Sequence, residues 1–402
     1  MRIERLLVAA PLALIAALVQ SAAWVPTYQE QATGNPRRLT QLVEASIGDA
    51  KILNPLLNAD VSSSRITGLV FDGLLDLDED LRLRGRLARS WRIHERAYLA
   101  VDPGATLADG TPAGGAALVA LLEAERDRPG GILAGLAGAI EALPATEREV
   151  SETRLDGDGR LRTLRVRVRL PPRVRIALRR VDPGLLERLR PLLGPRYGAA
   201  LAGPGRFTVL EGGPLGAAER RRLLPVIEHN PVIDFELRRG VRFHDGEPFD
   251  AEDVRFTYQA VIDPRNLSPR ASDFEPIRSL EVLDRYRVRV TYKRLFSPAI
   301  NAWTIGILPE HLLNRAALER EMDERGLGAA ARERFGLRDS RFNRQPIGTG
   351  AFRFVAWQSD ELIHLRRNPD YWDGPPRYRD YYFRVIPDPL TQEVEFRTGA
   401  LD

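Results

Sequence analysis

The stretch FELRRGVRFHDGEPFDAEDVRFTY, Phe235 to Tyr258, reads as strand, tight turn and helix in a single pass. Phe235, Leu237, Val241 and Phe243 put apolar side chains at odd positions, the period of a half-buried strand, with a bend at Gly240. His244-Asp245-Gly246-Glu247-Pro248 is a turn, because glycine supplies a positive φ and proline pre-sets the next bend. Asp250 then stands as N-cap with Asp253 three residues on, an approximate capping box. Val254, Tyr258 and Val261 give the helical stripe that follows.

Composition limits what such a chain can be. Its 402 residues suffice for two or three packed domains. Charged residues at 28% and hydrophobic ones at 44% fit a soluble globular protein. The 59 basic side chains are set against 55 acidic ones, a balance that does not argue for nucleic acid. With no cysteine there is no disulfide, thiolate metal site, cysteine nucleophile or lipid-modified cysteine.

Residues 1–23 read as an export signal. Arg2 and Arg5 precede an apolar run from Leu6 to Val19, and Ser21-Ala22-Ala23 supplies small residues for cleavage before Trp24. An uncleaved anchor is the alternative. In either case the folded part faces the far side of the inner membrane, a periplasmic location.

Three stretches, in order, carry a family resemblance. The first is Asn54-Pro55-Leu56-Leu57 through Phe71-Asp72-Gly73-Leu74-Leu75 and on to Leu87-Ala88-Arg89-Ser90-Trp91. The second runs from Leu237 to Pro264. The third joins Ile347-Gly348-Thr349-Gly350-Ala351-Phe352 to Arg367-Asn368-Pro369-Asp370-Tyr371-Trp372 and Gly399-Ala400-Leu401-Asp402. Together they resemble family 5 solute-binding proteins, the peptide receptors of ABC importers. The resemblance implies an α/β fold of the periplasmic-binding-protein type (type II), its first lobe a mixed β-sheet with packed helices. It also implies a monomer that binds a peptide or other small solute, delivers it to the transmembrane permease subunits, and needs no cofactor or metal.

Two departures from the family stand out. Residues 38–95 read as the first part of that lobe and 234–402 as its continuation, but 96–233 intervene as an inserted α+β region. Its start repeats the signature: Gly104-Ala105-Thr106-Leu107-Ala108-Asp109-Gly110-Thr111-Pro112 echoes Gly240 to Pro248 at a constant offset of 136 residues. A local duplication and an inserted domain with a similar turn both account for it. Within the insertion Leu118 to Glu125 is helix-like, and Gly130 to Leu143 reads as a packed helix of small residues. Leu161 to Leu170 alternates strictly, with Leu164, Val166, Val168 and Leu170 on one face and Arg165, Arg167 and Arg169 on the other. Lacking aromatic residues, that basic face reads as solvated strand rather than nucleic-acid surface. Further on, Leu280 to Thr291 reads as one strand and Ala316 to Phe335 as one charged helix. The second departure is at Gly399-Ala400-Leu401-Asp402, which resembles the point where the family crosses into its second lobe; that lobe is expected to be missing. A truncated frame, half of a split receptor or a degenerate copy would each explain this.

Candidate binding residues follow from the resemblance. The loop Asn54 to Asp60 leads to Ser62, Ser63 and Ser64, ahead of a helix expected over Arg65 to Phe71. Its N-terminus could hold a ligand carboxylate, or the serines could simply cap it. Trp303 and Thr304 are expected on the rim of the cleft, and Gly348, Thr349 and Gly350 at a lobe boundary. Catalysis finds no support: His94, His229, His244, His311 and His364 form no metal-binding pair, and no Gly-x-Ser-x-Gly elbow occurs. An exported scaffold or interaction protein, or a non-functional copy, is the competing reading.

Overall fold

Alternating strands and helices fold into mixed sheets with helices packed on them, an α/β architecture. The computed structural model describes residues 36–155 and 161–402, with 11, 13–17 and 19–20 near the N-terminus. Most of the expected signal peptide lies outside the described residues. Among the described residues no helix is long and apolar enough to cross a membrane. Two units divide the chain: one holds residues up to 89 with 237–274 and 301–402, the other 90–236 with 275–300.

Unit 1 is built on a four-stranded sheet in the order Gln41–Ser46, Asp380–Val385, Leu362–Arg367, Phe352–Gln358. Its first pair is parallel and the others antiparallel. The helix Val61–Val70 starts four residues earlier than its sequence suggests, because Asp60 rather than a serine is the N-cap and accepts from Ser63 N at 2.8 Å. The helix Ala251–Ile262 opens as expected: Asp250 accepts from Glu252 N and Asp253 reaches back to Asp250 N. Val254 and Val261 are fully buried. The charged stretch after Asn314 is two helices, Arg315–Glu324 and Ala329–Arg334, and not one. Gly326, at φ +62°, breaks it.

Unit 2 holds a six-stranded sheet in the order Ile277–Asp284, Arg287–Tyr292, Ile227–Leu237, Ala88–Ala100, Arg173–Leu178, Ala137–Leu143. The region expected as an insertion is therefore not a body of its own, since its strands share this sheet with strands on either side of it. Two sequence expectations fail here. Ala137–Leu143 is a strand where a packed helix is expected, held by antiparallel pairing with Arg173–Leu178. The single strand expected over Leu280 to Thr291 is a hairpin turning at Arg285-Tyr286. The apolar stripe of the helix Gly115–Asp127, Leu118 and Leu122, packs with Leu99, Ile140, Val174 and Ile176 into the core.

A second sheet of unit 2 joins Thr146–Leu155, Leu161–Leu170 and Phe207–Glu211. Its alternation works as the sequence implies. Leu164, Val166, Val168 and Leu170 pack on Leu223 and Leu224, while Arg165 and Arg169 face outward and pair with Glu149 and Glu147 across the ladder.

The echoed turns are alike bond for bond. Leu107 N donates to Thr111 O and Phe243 N to Glu247 O, both at 2.8 Å; Gly110 and Gly246 both have positive φ, +86° and +97°. Ala113 N donates to Ala105 O, and Phe249 N to Val241 O, both at 3.0 Å. Each turn follows a long strand and precedes a helix.

Candidate functional site

Within unit 1, the C-terminal end of the helix Val61–Val70 and the segments around Asp72, Arg86, Arg270 and Asn301–Gly306 enclose a cavity of about 300 Å³. One wall exists because glycine permits it: a Cβ on Gly73 would lie 2.6 Å from Thr304 O, so only glycine lets the two segments approach. Beneath the cavity sits the Asp72 carboxylate, its side chain fully buried. It accepts from Arg86 Nη2 at 2.5 Å, Trp372 Nε1 at 2.9 Å, Tyr371 Oη at 3.1 Å and Thr349 Oγ1 at 3.3 Å. A buried charge held this way is fully satisfied and fixes the register of four segments. Burial depresses the Arg86 guanidinium, but the Asp72 carboxylate beside it prevails and holds its pKa above the ordinary value.

Above that base, two charged side chains of the lining stand outside any ion pair among the described residues. Arg270 and Asp273 are exposed on the cavity, three residues apart, and take part in no ion pair among the described residues. Asn58 has its amide committed to Thr67 Oγ1 at 2.8 Å, while Thr304 Oγ1 donates to Asn301 O. The arrangement offers one guanidinium and one carboxylate over a floor of amide and hydroxyl dipoles. That is the complement of a small solute carrying both signs of charge.

Next to this base, the signature turn is locked onto the Gly348–Gly350 loop. His244 N donates to Gly348 O, its Nε2 donates to Gly350 O at 2.9 Å, and Gly348 N donates to its Nδ1 at 3.3 Å. One donor and one acceptor is what the neutral imidazole supplies; a second proton would face the Gly348 N–H. Burial, chiefly, lowers its pKa to about 4. Neighbouring groups move the other way. The hydrogen bond that His311 donates to the Asp245 carboxylate holds its imidazole above the ordinary range, and burial pushes Asp253 up to about 7.

The structure brings few of the sequence-derived site residues to the cavity. Thr304 lines it. Trp303, expected on the rim, is fully buried with its ring edge-on to Phe274 at 5.4 Å, a core residue. Asn54 is fully buried, bonding Asn343 Oδ1 and Leu56 N. Ser62 donates to Gly48 O and Ser63 accepts from Lys51 N and Ile52 N, so their hydroxyls hold their own loop. Asp60 caps the helix N-terminus expected to hold a ligand. Gly348 and Gly350 are buried against the helix Val61–Val70, where a Cβ on either would meet Val70 or Leu69 carbonyl oxygen at 2.1 and 2.5 Å. Thr349 is spent on Asp72. Arg270 and Asp273 are absent from the sequence-derived set. Their signal is an Arg before and an Asp within a short helix, Ala271–Phe274, too ordinary a pattern to single out.

The family match falls on the part of the chain that supplies Arg270, Asp273 and Asn301–Gly306 to this cavity. Residues 227–402 match the profile of "Bacterial extracellular solute-binding proteins, family 5 Middle". Oligopeptide-binding protein AppA of Bacillus subtilis is 29% identical over 176 residues, 42% of this chain and 29% of that protein. Di/tripeptide-binding protein 2 of Pseudomonas aeruginosa is 28% identical, over 41% of this chain and 32% of its own length. The nickel-binding periplasmic protein of Escherichia coli is 27% identical, over 44% and 30%. The chain thus spans about a third or less of the length of these curated relatives. Among solved structures, AppA of Bacillus subtilis with a nonapeptide aligns at 20% identity and a TM-score of 0.49, covering 90% of this chain and 43% of that one. NikZ of Campylobacter jejuni aligns at 20% and 0.48, over 92% and 43%. Residues 227–402 are thus similar to the middle part of the bacterial extracellular solute-binding proteins of family 5.

Proposed function

We propose that the chain is the solute-binding component of a peptide-type ABC importer, exported across the inner membrane and delivering its solute to the permease. The observation that carries this reading is the cavity of unit 1, with Arg270 and Asp273 unpaired on it. A free peptide presents a carboxylate and an ammonium group, and these two side chains complement them. Asn58, Asn301 and Thr304 supply hydrogen-bonding neighbours for the backbone between, and water fills what they leave. Relatives named for oligopeptide, di/tripeptide and nickel binding support a small polar solute. The opposite charges of Arg270 and Asp273 on the cavity favour the peptide among them. No step of bond making is assigned to it.

Ligand that binds only the native state raises the melting temperature by mass action. A pool of di- and tripeptides at millimolar concentration is expected to raise it, and N-acetylated, C-amidated versions are expected to do so much less. Equal shifts from both pools would remove Arg270 and Asp273 from the reading. A second reading, an exported interaction protein, has one feature on its side: the helix Pro389–Arg397 leaves Leu390, Val394 and Phe396 exposed.

A further inference from the structure

Away from the signature turn, three strands of unit 2 bring basic side chains together. Arg148 comes from the strand Thr146–Leu155, Arg173 opens Arg173–Leu178, and Arg278 lies on Ile277–Asp284; all three converge on the Glu228 carboxylate. Arg148 Nη1 donates to both oxygens of Glu228 at 3.2 Å, Arg278 Nη2 donates to it too, and Arg173 Nη1 stands 3.9 Å away. One carboxylate cannot neutralise three guanidinium groups. The Nε atoms of Arg148 and Arg173 are buried with no hydrogen-bond partner, which folded proteins seldom leave without compensation. Arg173, lying over the Tyr98 ring, is lowered from the ordinary guanidinium range, first by burial and then by its cationic neighbours against the pull of Glu228.

Beside this cluster is a cavity of about 340 Å³, whose lining includes Arg148, Arg222, Lys293, Arg294, Glu228 and His229. Arg222 pairs with Glu152, and Lys293 and Arg294 share the single carboxylate of Glu275. Cations outnumber carboxylates around the space, and it is large enough for an anion with several oxygens.

We propose that this cavity is an oxyanion site that takes a phosphate or phosphomonoester group, with Arg148, Lys293 and Arg294 as its donors. Guanidinium forks and an ammonium suit the several acceptor oxygens of phosphate, and the added charge would offset the excess that Glu228 leaves. Glu228 then acts as a competitor as well as an anchor: it holds the arginines in place and repels the ligand. The phosphate chemistry is shared by a soluble ester and by an anionic lipid headgroup, and the site is independent of the peptide cavity.

The test uses the whole chain, inorganic phosphate as probe, and titration at constant ionic strength with chloride as the balancing ion. A saturable heat and a saturable rise in melting temperature are expected. The double substitution Lys293→Gln, Arg294→Gln touches only exposed pairs and is expected to weaken phosphate binding by about tenfold or more. Glu228→Gln, if it folds as judged by circular dichroism, is expected to tighten it. Sedimentation with phosphatidic acid vesicles against phosphatidylcholine vesicles assigns the source: selective co-sedimentation lost in the double variant marks a headgroup, and phosphate binding without it marks a soluble ester. A response to phosphate that tracks ionic strength and matches chloride, or saturable binding unchanged in the double variant, overturns the proposal.

Discussion

The two strand–turn–helix segments, Ala88 to Asp127 and Ile227 to Ile262, share a backbone and differ in nearly every side chain that reaches beyond it. Both turns close with the same pairs of main-chain bonds. At the position after the buried Leu107 or Phe243, the backbone N–H even finds an equivalent partner: Ala108 N donates to Leu192 O at 3.0 Å, and His244 N to Gly348 O at 2.9 Å. Yet Ala108 stands where His244 locks a loop, Gly114 where Asp250 caps, and Ala117 where Asp253 completes the box. Gly114 makes no side-chain cap bond. The turn is therefore specified by Gly-x-x-x-x-Asp-Gly-x-Pro alone, through a positive φ and a bend. What distinguishes the second segment is a separate layer of His and Asp contacts laid over that turn.

The largest way to probe this difference is pH. The folded pKa of His244 is depressed to about 4, so its contribution is complete above the unfolded value near 6.5 and is lost as pH falls through about 4. A shift of that size corresponds to roughly 3 kcal/mol. Asp253, raised to about 7, slopes the other way: its contribution is complete below about 4 and is lost as pH rises through 7. The expected outcome is that subtracting the curve of His244→Gln from that of the parent isolates an acid-side loss between pH 6.5 and 4. A flat difference curve would sever the ring from the Gly348–Gly350 lock.

Removing the ring at neutral pH comes next. His244→Ala makes the second turn resemble the first and is expected to cost about 2 kcal/mol, because Gly348 N and Gly350 O lose their partner in a buried site. Chemical denaturation reads it directly. The glycine pair then tests whether the two backbones are as alike as their bonds. Gly110→Ala and Gly246→Ala each force a side chain into the left-handed region with open space around it, and each should cost about 1–2 kcal/mol. Costs that differ by more than about 1 kcal/mol would break the likeness. Smallest is the cap: Gly114→Asp should stabilise by a few tenths of a kcal/mol, while Asp250→Ala should cost about 1 kcal/mol.

Local chemistry of this kind was legible in the sequence. Asp250 with Asp253, the glycine at 246 and the alternation from Leu161 to Leu170 all depend on residues within one element, and the structure forms each of them. Ala137–Leu143 was not legible as a strand, because its Gly- and Ala-rich sequence has no period of its own and its conformation comes from pairing with Arg173–Leu178. The site was less legible still. Motifs placed the Asn54 loop and the Gly348 loop near one another in function, but no periodicity says that Asn54, Ser63 and Trp303 turn inward. Arg270, Asp273, Asp72 and Arg86 meet only because three distant segments pack around Gly73.

The measurement that bears most directly on the account is calorimetric titration of the whole chain with a defined tripeptide, repeated with Arg270→Ala and with Asp273→Ala. The account predicts saturable binding by the parent, with the first variant losing affinity for peptides bearing a free carboxylate and the second for those bearing a free amine. Saturable binding that neither substitution changes, or none at all at millimolar peptide, would contradict it.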